Sequence, residues 1–179
     1  MTHVMFDEIE NMLATMDMLA IIAPRVKLRR QQTLWKWIVV GAHDALQGAL
    51  VCAVNDTTGT RVLSKRSAKE MLNWLEDTSQ KFPGEFMAHF DMLLKRSKIK
   101  LAAQDRRDVK KLHEFRNDFV HFTPKTWAIE MAGLPRIVGC ALRVAAELMQ
   151  QGQVQIKMTG NKKRRLRERV EAINIALRT

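Results

Sequence analysis

Apolar residues recur at helical spacing along most of the chain. Ile9, Met12, Leu13, Met16 and Leu19 share one face of a first helix predicted over residues 5–22, which Pro24 ends. A longer second helix is predicted over residues 27 to about 55. There Ile38, Ala42, Ala45, Ala49 and Ala53 form a seam, mostly of small residues, that lets another helix approach closely. Asn55-Asp56-Thr57-Thr58-Gly59 reads as a turn, followed by an irregular or briefly extended stretch over 60–65. Ser67-Ala68-Lys69-Glu70 matches a capping box opening a third helix to about residue 77. Phe82-Pro83-Gly84 breaks the chain before a short helix over roughly 85–95. The next helix begins near Gln104 or Asp105 and stops around Phe122, because Pro124 restricts Thr123. Trp127, Ile129 and Met131 then alternate with polar or small residues. They read as a short extended strap turned by Gly133, with Trp127 as its core anchor or as a surface on which a base stacks. Pro135 suits the first turn of a helix to about residue 150, with Ile137, Ala141, Val144, Ala145 and Leu148 facing inward.

Within the helix before Pro124, the run Leu112-His113-Glu114-Phe115-Arg116-Asn117-Asp118-Phe119-Val120-His121-Phe122 departs from simple core patterning. Leu112, Phe115, Phe119 and Phe122 make an apolar stripe, and Arg116, Asn117, His121 and His113 crowd into the same three turns. Packing supplies no reason for an Arg, an Asn and two His among aromatics. His113, Asn117 and His121 share a face, whereas Arg116 lies ~140° around the helix from His121 at ~100° per residue. A single straight helix therefore does not aim Arg116 and His121 at one atom. Either the Arg side chain wraps round or a second protomer completes the site.

Arg116-Asn117, three residues, then His121 resembles the motif of HEPN domains, an all-helical superfamily rich in metal-independent endoribonucleases. The family's pattern is an Arg, four to six residues and a His, with a polar residue directly after the Arg. The resemblance rests mainly on residues 104–122, with softer support from the second helix and the helix after Pro135. It implies an all-α helical bundle of four to six helices, and a homodimer in which two motif helices meet around one cleft. By the same resemblance, Arg116, Asn117 and His121 are the catalytic candidates and the products carry 2′,3′-cyclic phosphate ends. An acidic or polar residue on an earlier helix often faces the motif in this family, which makes Asp44 the candidate to orient Arg116 or His121, with a helix-surface Asp of no role as the other reading. His43 and His113 are supporting residues. The resemblance also implies a growth-arresting toxin or defence effector, with a cognate antitoxin or regulatory protein as partner. A non-catalytic dimeric module that binds nucleic acid or protein is the other reading.

The chemistry of these residues agrees with that expectation. Metal-free RNA cleavage needs a base for the 2′-hydroxyl, an acid for the departing 5′-oxygen and cations on the phosphorane. His121 and its symmetry mate suit the first two roles, and a bidentate Arg116 suits the third. Asn117 either orients the histidine or hydrogen-bonds the phosphate. No cofactor is expected: the chain has no glycine-rich phosphate loop, no clustered metal ligands and no recognisable Ser or Cys nucleophile motif.

Composition and charge sharpen the picture. The chain of 179 residues is long enough for one domain with a real core, and the absence of Tyr and scarcity of Gly and Pro favour helix. Residues 1–160 are read as one helical domain and 161–179 as a basic tail or helix. Cys52 and Cys140 each sit in an apolar run and read as buried thiols of a reducing, cytoplasmic compartment. No leader is apparent, and the most apolar segment, 37–54, is interrupted by His43, Asp44 and Gln47, so no membrane association is expected. Net charge is +11 and unevenly placed. Before Arg25 there are only acidic charges (Asp7, Glu8, Glu10 and Asp17). From Lys157 onward eight Lys or Arg stand against Glu168 and Glu171, a net +6. Lys162, Lys163, Arg164, Arg165 and Arg167 are the candidates for phosphate contact. Val170, Ile173 and Leu177 share one helical face, so the same segment suits docking on the acidic first helix equally well.

Overall fold

The computed structural model describes residues 7–79, 81–84, 86–121 and 128–178, the Arg29 side chain excepted. These form a helical bundle of α1 (Glu8–Ile22), α2 (Trp35–Val54), α3 (Lys65–Glu76), α4 (Phe90–Ser97), α5 (Ala103–Val120), α6 (Leu134–Leu148), the single turn α7 (Val154–Lys157) and α8 (Gly160–Arg178). No strand occurs among the described residues, only a one-residue antiparallel bridge between Leu63 and Met87. The all-α expectation holds, with eight helices among the described residues against the four to six expected, the short α7 and the integral α8 included.

Helix α2 is the axis of the bundle and packs against α1, α6, α5 and α4. Ile38, Val39, Ala42, Ala45, Leu46, Ala49, Leu50 and Val54 are fully buried. With the turn before it, α2 is long and apolar enough to cross a membrane (mean hydropathy 1.5), yet 67% of its most apolar window is buried by the other helices. Gly41 faces Leu19 and Gly48 faces Met12 and Glu8, so α1 runs antiparallel to α2. Asp7 caps α1 by accepting from the Ile9 amide at 3.0 Å, and Glu8 and Glu10 sit at the positive end of its macrodipole.

Several boundaries differ from the sequence pattern. Helix α2 begins at Trp35, not at residue 27, and two short 3-10 turns, Ala23–Lys27 and Arg29–Leu34, precede it. Arg25, Lys27, Arg29 and Arg30 crowd like charges into this stretch, which buries Ala23 and Val26 but no continuous apolar face, and Leu28 goes extended between the turns. Helix α3 is capped by Ser64, which accepts from the Ser67 amide at 3.2 Å. Ser67, expected as the cap, is buried one turn inside, where its hydroxyl accepts from the Phe86 amide at 3.2 Å. Glu70 completes no capping box and pairs with Arg66 at 2.7 Å. Helix α4 starts at Phe90, later than expected, because the chain before it is held extended by the Leu63–Met87 bridge. Helix α5 closes at Val120, close to the expected stop. Phe122, the first residues of the strap and Trp127 lie outside the described residues; Ile129 is half-buried against the core. The basic segment is a helix integral to the bundle, with Leu166, Ile173 and Leu177 buried in the common core.

The two glycines of α2 separate close approach from mere helix dilution. A Cβ at Gly41 would stand 2.9 Å from Leu19 Cδ2, a side chain with no free space, whereas one at Gly48 meets nothing nearer than 3.4 Å. Gly48→Ala is expected to stabilise by up to ~1 kcal/mol through helix propensity, and Gly41→Ala to destabilise. Chemical denaturation of the two variants checks this, and the same response from both would mean that α1 does not lie against Gly41.

Candidate functional site

Helix α5 carries the polar residues of the motif on the side that meets α2 and α4. Val109 and Leu112 are buried, and Phe115 and Phe119 pack half-buried against the core. That fixes the rotation of α5 and turns His113 and Asn117 inward. His113 stacks on Phe90 of α4 with ring centroids 4.6 Å apart and planes 8° from parallel. It meets His43 of α2 ring nitrogen to ring nitrogen, Nδ1 to Nε2, at 2.9 Å. Asn117 Nδ2 lies 3.3 Å from His113 Nε2, and Arg116 Nη1 donates to Asn117 Oδ1 at 3.2 Å. His43 is 1% exposed, and its Nδ1 lies 3.7 Å from the carboxylate of Asp44.

One set of tautomers satisfies the row from Arg116 to His43 Nε2 and leaves the buried His43 Nδ1 without a hydrogen bond to a described residue. The Arg116 guanidinium donates to the Asn117 carbonyl, and the Asn117 amide donates to Nε2 of His113. His113 then donates from Nδ1 to Nε2 of His43, which leaves the His43 Nδ1–H directed at Asp44. With the opposite tautomer, a buried lone pair of His43 would face a carboxylate. The hydrogen bonds therefore run with one polarity from the cation at Arg116 to His43, the arrangement in which successive hydrogen bonds strengthen one another. The Asp44 carboxylate stands 3.7 Å beyond the far nitrogen of His43 without hydrogen-bonding it.

The sequence candidates divide accordingly. Arg116, Asn117, His113, His43 and Asp44 are brought into one connected row. His121 is not part of it. His121 caps α5, its backbone amide still bonding the Asn117 carbonyl at 2.8 Å, and its exposed ring makes no hydrogen bond or ion pair with a described residue. Asp44 addresses His43 and contacts neither Arg116 nor His121. Arg116 Nε is shielded from solvent without an acceptor among the described residues, a costly state for a charged donor. Phe90, which holds the His113 ring, carries no mark in the sequence: it is 23 positions from His113 and belongs to another helix.

The basic residues of α8 divide as well. Lys162 pairs with Glu10 at 2.9 Å and Asp7 at 3.7 Å. Arg165 pairs with Glu10 at 3.1 Å and also with Asp17. Arg169, not singled out from the sequence although it lies four residues beyond Arg165 on the same face, pairs with Asp17 at 2.6 Å. Arg165 holds the Asp17 carboxyl, and Lys162 that of Glu10, below the ordinary carboxylate value. Arg164 spans to Glu168 at 3.9 Å, while Lys163 and Arg167 stand apart from this network. Docking on α1 thus takes two of the five candidate phosphate ligands, Lys162 and Arg165.

Burial pushes the Cys52 and Cys140 thiols up to about 12, so both are protonated and poorly nucleophilic. Among the described residues, no three His, Cys, Asp or Glu side chains are grouped as a metal site. No protein-family model, curated protein or solved structure matches the chain.

Burial chiefly, then the neighbouring His43 and Arg116, hold His113 below the ordinary imidazole value, against the opposing pull of Asp91 and Glu114. A proton on its Nε2 would point at the Asn117 amide and force that side chain to turn over, breaking its bond to Arg116. The stability contributed by neutral His113 is complete above the unfolded value near 6.5. It is lost as the pH falls below that toward the folded value, because the unfolded chain takes the proton first. The thermal midpoint should therefore drop between about pH 7.5 and about pH 5.5, and drop less in His113→Gln, which keeps polar contacts without titrating. Equal slopes in the two proteins would remove His113 as the source.

Proposed function

We propose that the chain is a metal-independent endoribonuclease of HEPN type, acting through Arg116, Asn117 and His121 in a site that two protomers complete. One observation carries the reading. At the C-terminal end of α5, a guanidinium hydrogen-bonded to a partly buried row stands five residues from an exposed imidazole that makes no hydrogen bond or ion pair with a described residue. Orientation of a cation by Asn117, His113, His43 and Asp44 is what phosphate recognition and stabilisation of a phosphorane require. The shielded Arg116 Nε is a donor whose unmet hydrogen bond an acceptor brought alongside would relieve. His121 is free to take the 2′-hydroxyl proton and to return a proton to the leaving 5′-oxygen.

Within one protomer Arg116 and His121 share no contact, which favours a homodimer in which Arg116 of one copy serves with His121 of the other. In that setting the protein acts as a toxin or defence effector, restrained by a cognate antitoxin or regulatory protein. The second reading, a non-catalytic dimeric module, is favoured by Lys163 and Arg167, cations on α8 that α1 leaves unpaired. Binding that survives Arg116→Ala and His121→Ala but is lost with these α8 charges would select it.

Purified protein incubated with total RNA in EDTA is expected to cut, with a loss of ~10²-fold or more in His121→Ala and in Arg116→Ala. Mixing the two inactive variants is expected to restore cleavage, because one of the two Arg–His pairings across the dimer axis is then intact. Absence of cleavage by the native protein, or equal cleavage by native and His121→Ala proteins, would end the ribonuclease reading. Failure of the mixture alone would end the composite site and leave the chemistry standing.

A further inference from the structure

Helix α8 spends its cations on two faces. Lys162, Arg165 and Arg169 are neutralised by Asp7, Glu10 and Asp17 of α1. Lys163, Arg167 and Arg178 make no side-chain hydrogen bond or ion pair with a described residue, and all three line a groove of about 770 Å³ between α8 and α6. Met158, Leu166 and Val170 form its apolar floor, and Glu171 is the one acidic side chain among its lining residues. From Lys163 to Arg178 the helix advances ~22 Å, about four turns of any helix laid beside it.

We propose that this groove receives an amphipathic helix from a partner protein. The apolar face of that helix would rest on Met158, Leu166 and Val170, and flanking carboxylates would meet Lys163, Arg167 and Arg178. Charge complementarity sets the sign of the partner: three unpaired cations surround a single carboxylate, on a helix whose other cations the fold has already matched to acids. The apolar floor and the length set its form, since an apolar stripe at i, i+3, i+4 and i+7 spacing is what such a groove accepts. A single nucleic-acid strand fits less well. It binds by stacking bases on aromatic rings along a basic track, and no aromatic side chain lines this groove. The groove belongs to α6 and α8, away from the C-terminal end of α5, so it stands whether or not the chain cuts RNA.

The test is to pan a displayed library of helical peptides, about 20 residues long with randomised core and flanking positions, against the full chain. Enriched peptides should pair Leu, Ile or Met at helical spacing with flanking Asp or Glu. Their binding should weaken with salt and fall about tenfold or more in the Lys163→Glu/Arg167→Glu double variant. The Lys163→Gln/Arg167→Gln variant reports the same loss should charge reversal disturb the fold, and circular dichroism monitors both. No enrichment, enrichment without acidic flanks, or binding indifferent to these substitutions would overturn the proposal. So would the binding of a short oligouridine that the same double variants abolish, which would assign the groove to nucleic acid instead.

Discussion

The constraint on which the rest of the molecule turns is that α2, the most apolar helix of the bundle, carries a fully buried imidazole. An unpartnered polar group at such a depth costs of the order of 1–3 kcal/mol, so His43 dictates what may pack on it. Helix α5 answers with His113 at hydrogen-bonding distance, and α4 with the flat face of Phe90. Both responses reduce the freedom of α5 to rotate about its axis or slide along α2. The polar row at the end of α5 inherits its geometry from that demand. Core packing and site geometry are therefore one problem in this protein: a change at Phe90, distant in sequence, would be felt at Arg116 through the rings between them.

The charge distribution tells a second story. A net +11 suggests a molecule covered in available cations, yet much of the basic C-terminal helix is matched to the acidic first helix. Partly exposed pairs of this kind contribute modestly one at a time, but a connected set is worth more than its isolated members. Asp105 with Arg143, and the buried Asp108 with Arg136, join α5 to α6 in the same manner. What α8 itself offers a partner is smaller and more local than its seven Lys and Arg residues imply.

The helical nature of the chain was legible because its apolar spacing is regular; the positions of α1, α5, α6 and α8 follow from it with small errors at their ends. The start of α2 was not, since a charged stretch with adequate propensity but little to bury looks helical until packing is considered. Two serines three residues apart offered competing caps for α3, and the choice fell to the long-range contact between Ser67 and the Phe86 amide. At the site, spacing alone put His113 and Asn117 on one face and separated Arg116 from His121, and the structure keeps both features. What no spacing reveals is which helix lies opposite. The pairing of His43 with His113 spans 70 residues, and the turn of Asp44 toward its own neighbour rather than toward the motif depends on the register of α2 against α5.

The ion pairs between α1 and α8 join residues 148 and 155 positions apart. Loop closure over such a distance is entropically expensive, and contacts of this kind form late. The antiparallel pair α1 and α2 can assemble as soon as both helices exist. The acidic edge of α1 must wait for α8, the last of the described helices to be synthesised. During translation the nascent bundle therefore passes through a stage in which a carboxylate-lined face and the apolar seat of Leu166, Ile173 and Leu177 lie open together. Completion of this bundle is gated by the arrival of α8, and basic or apolar surfaces of other nascent chains compete for that seat until then.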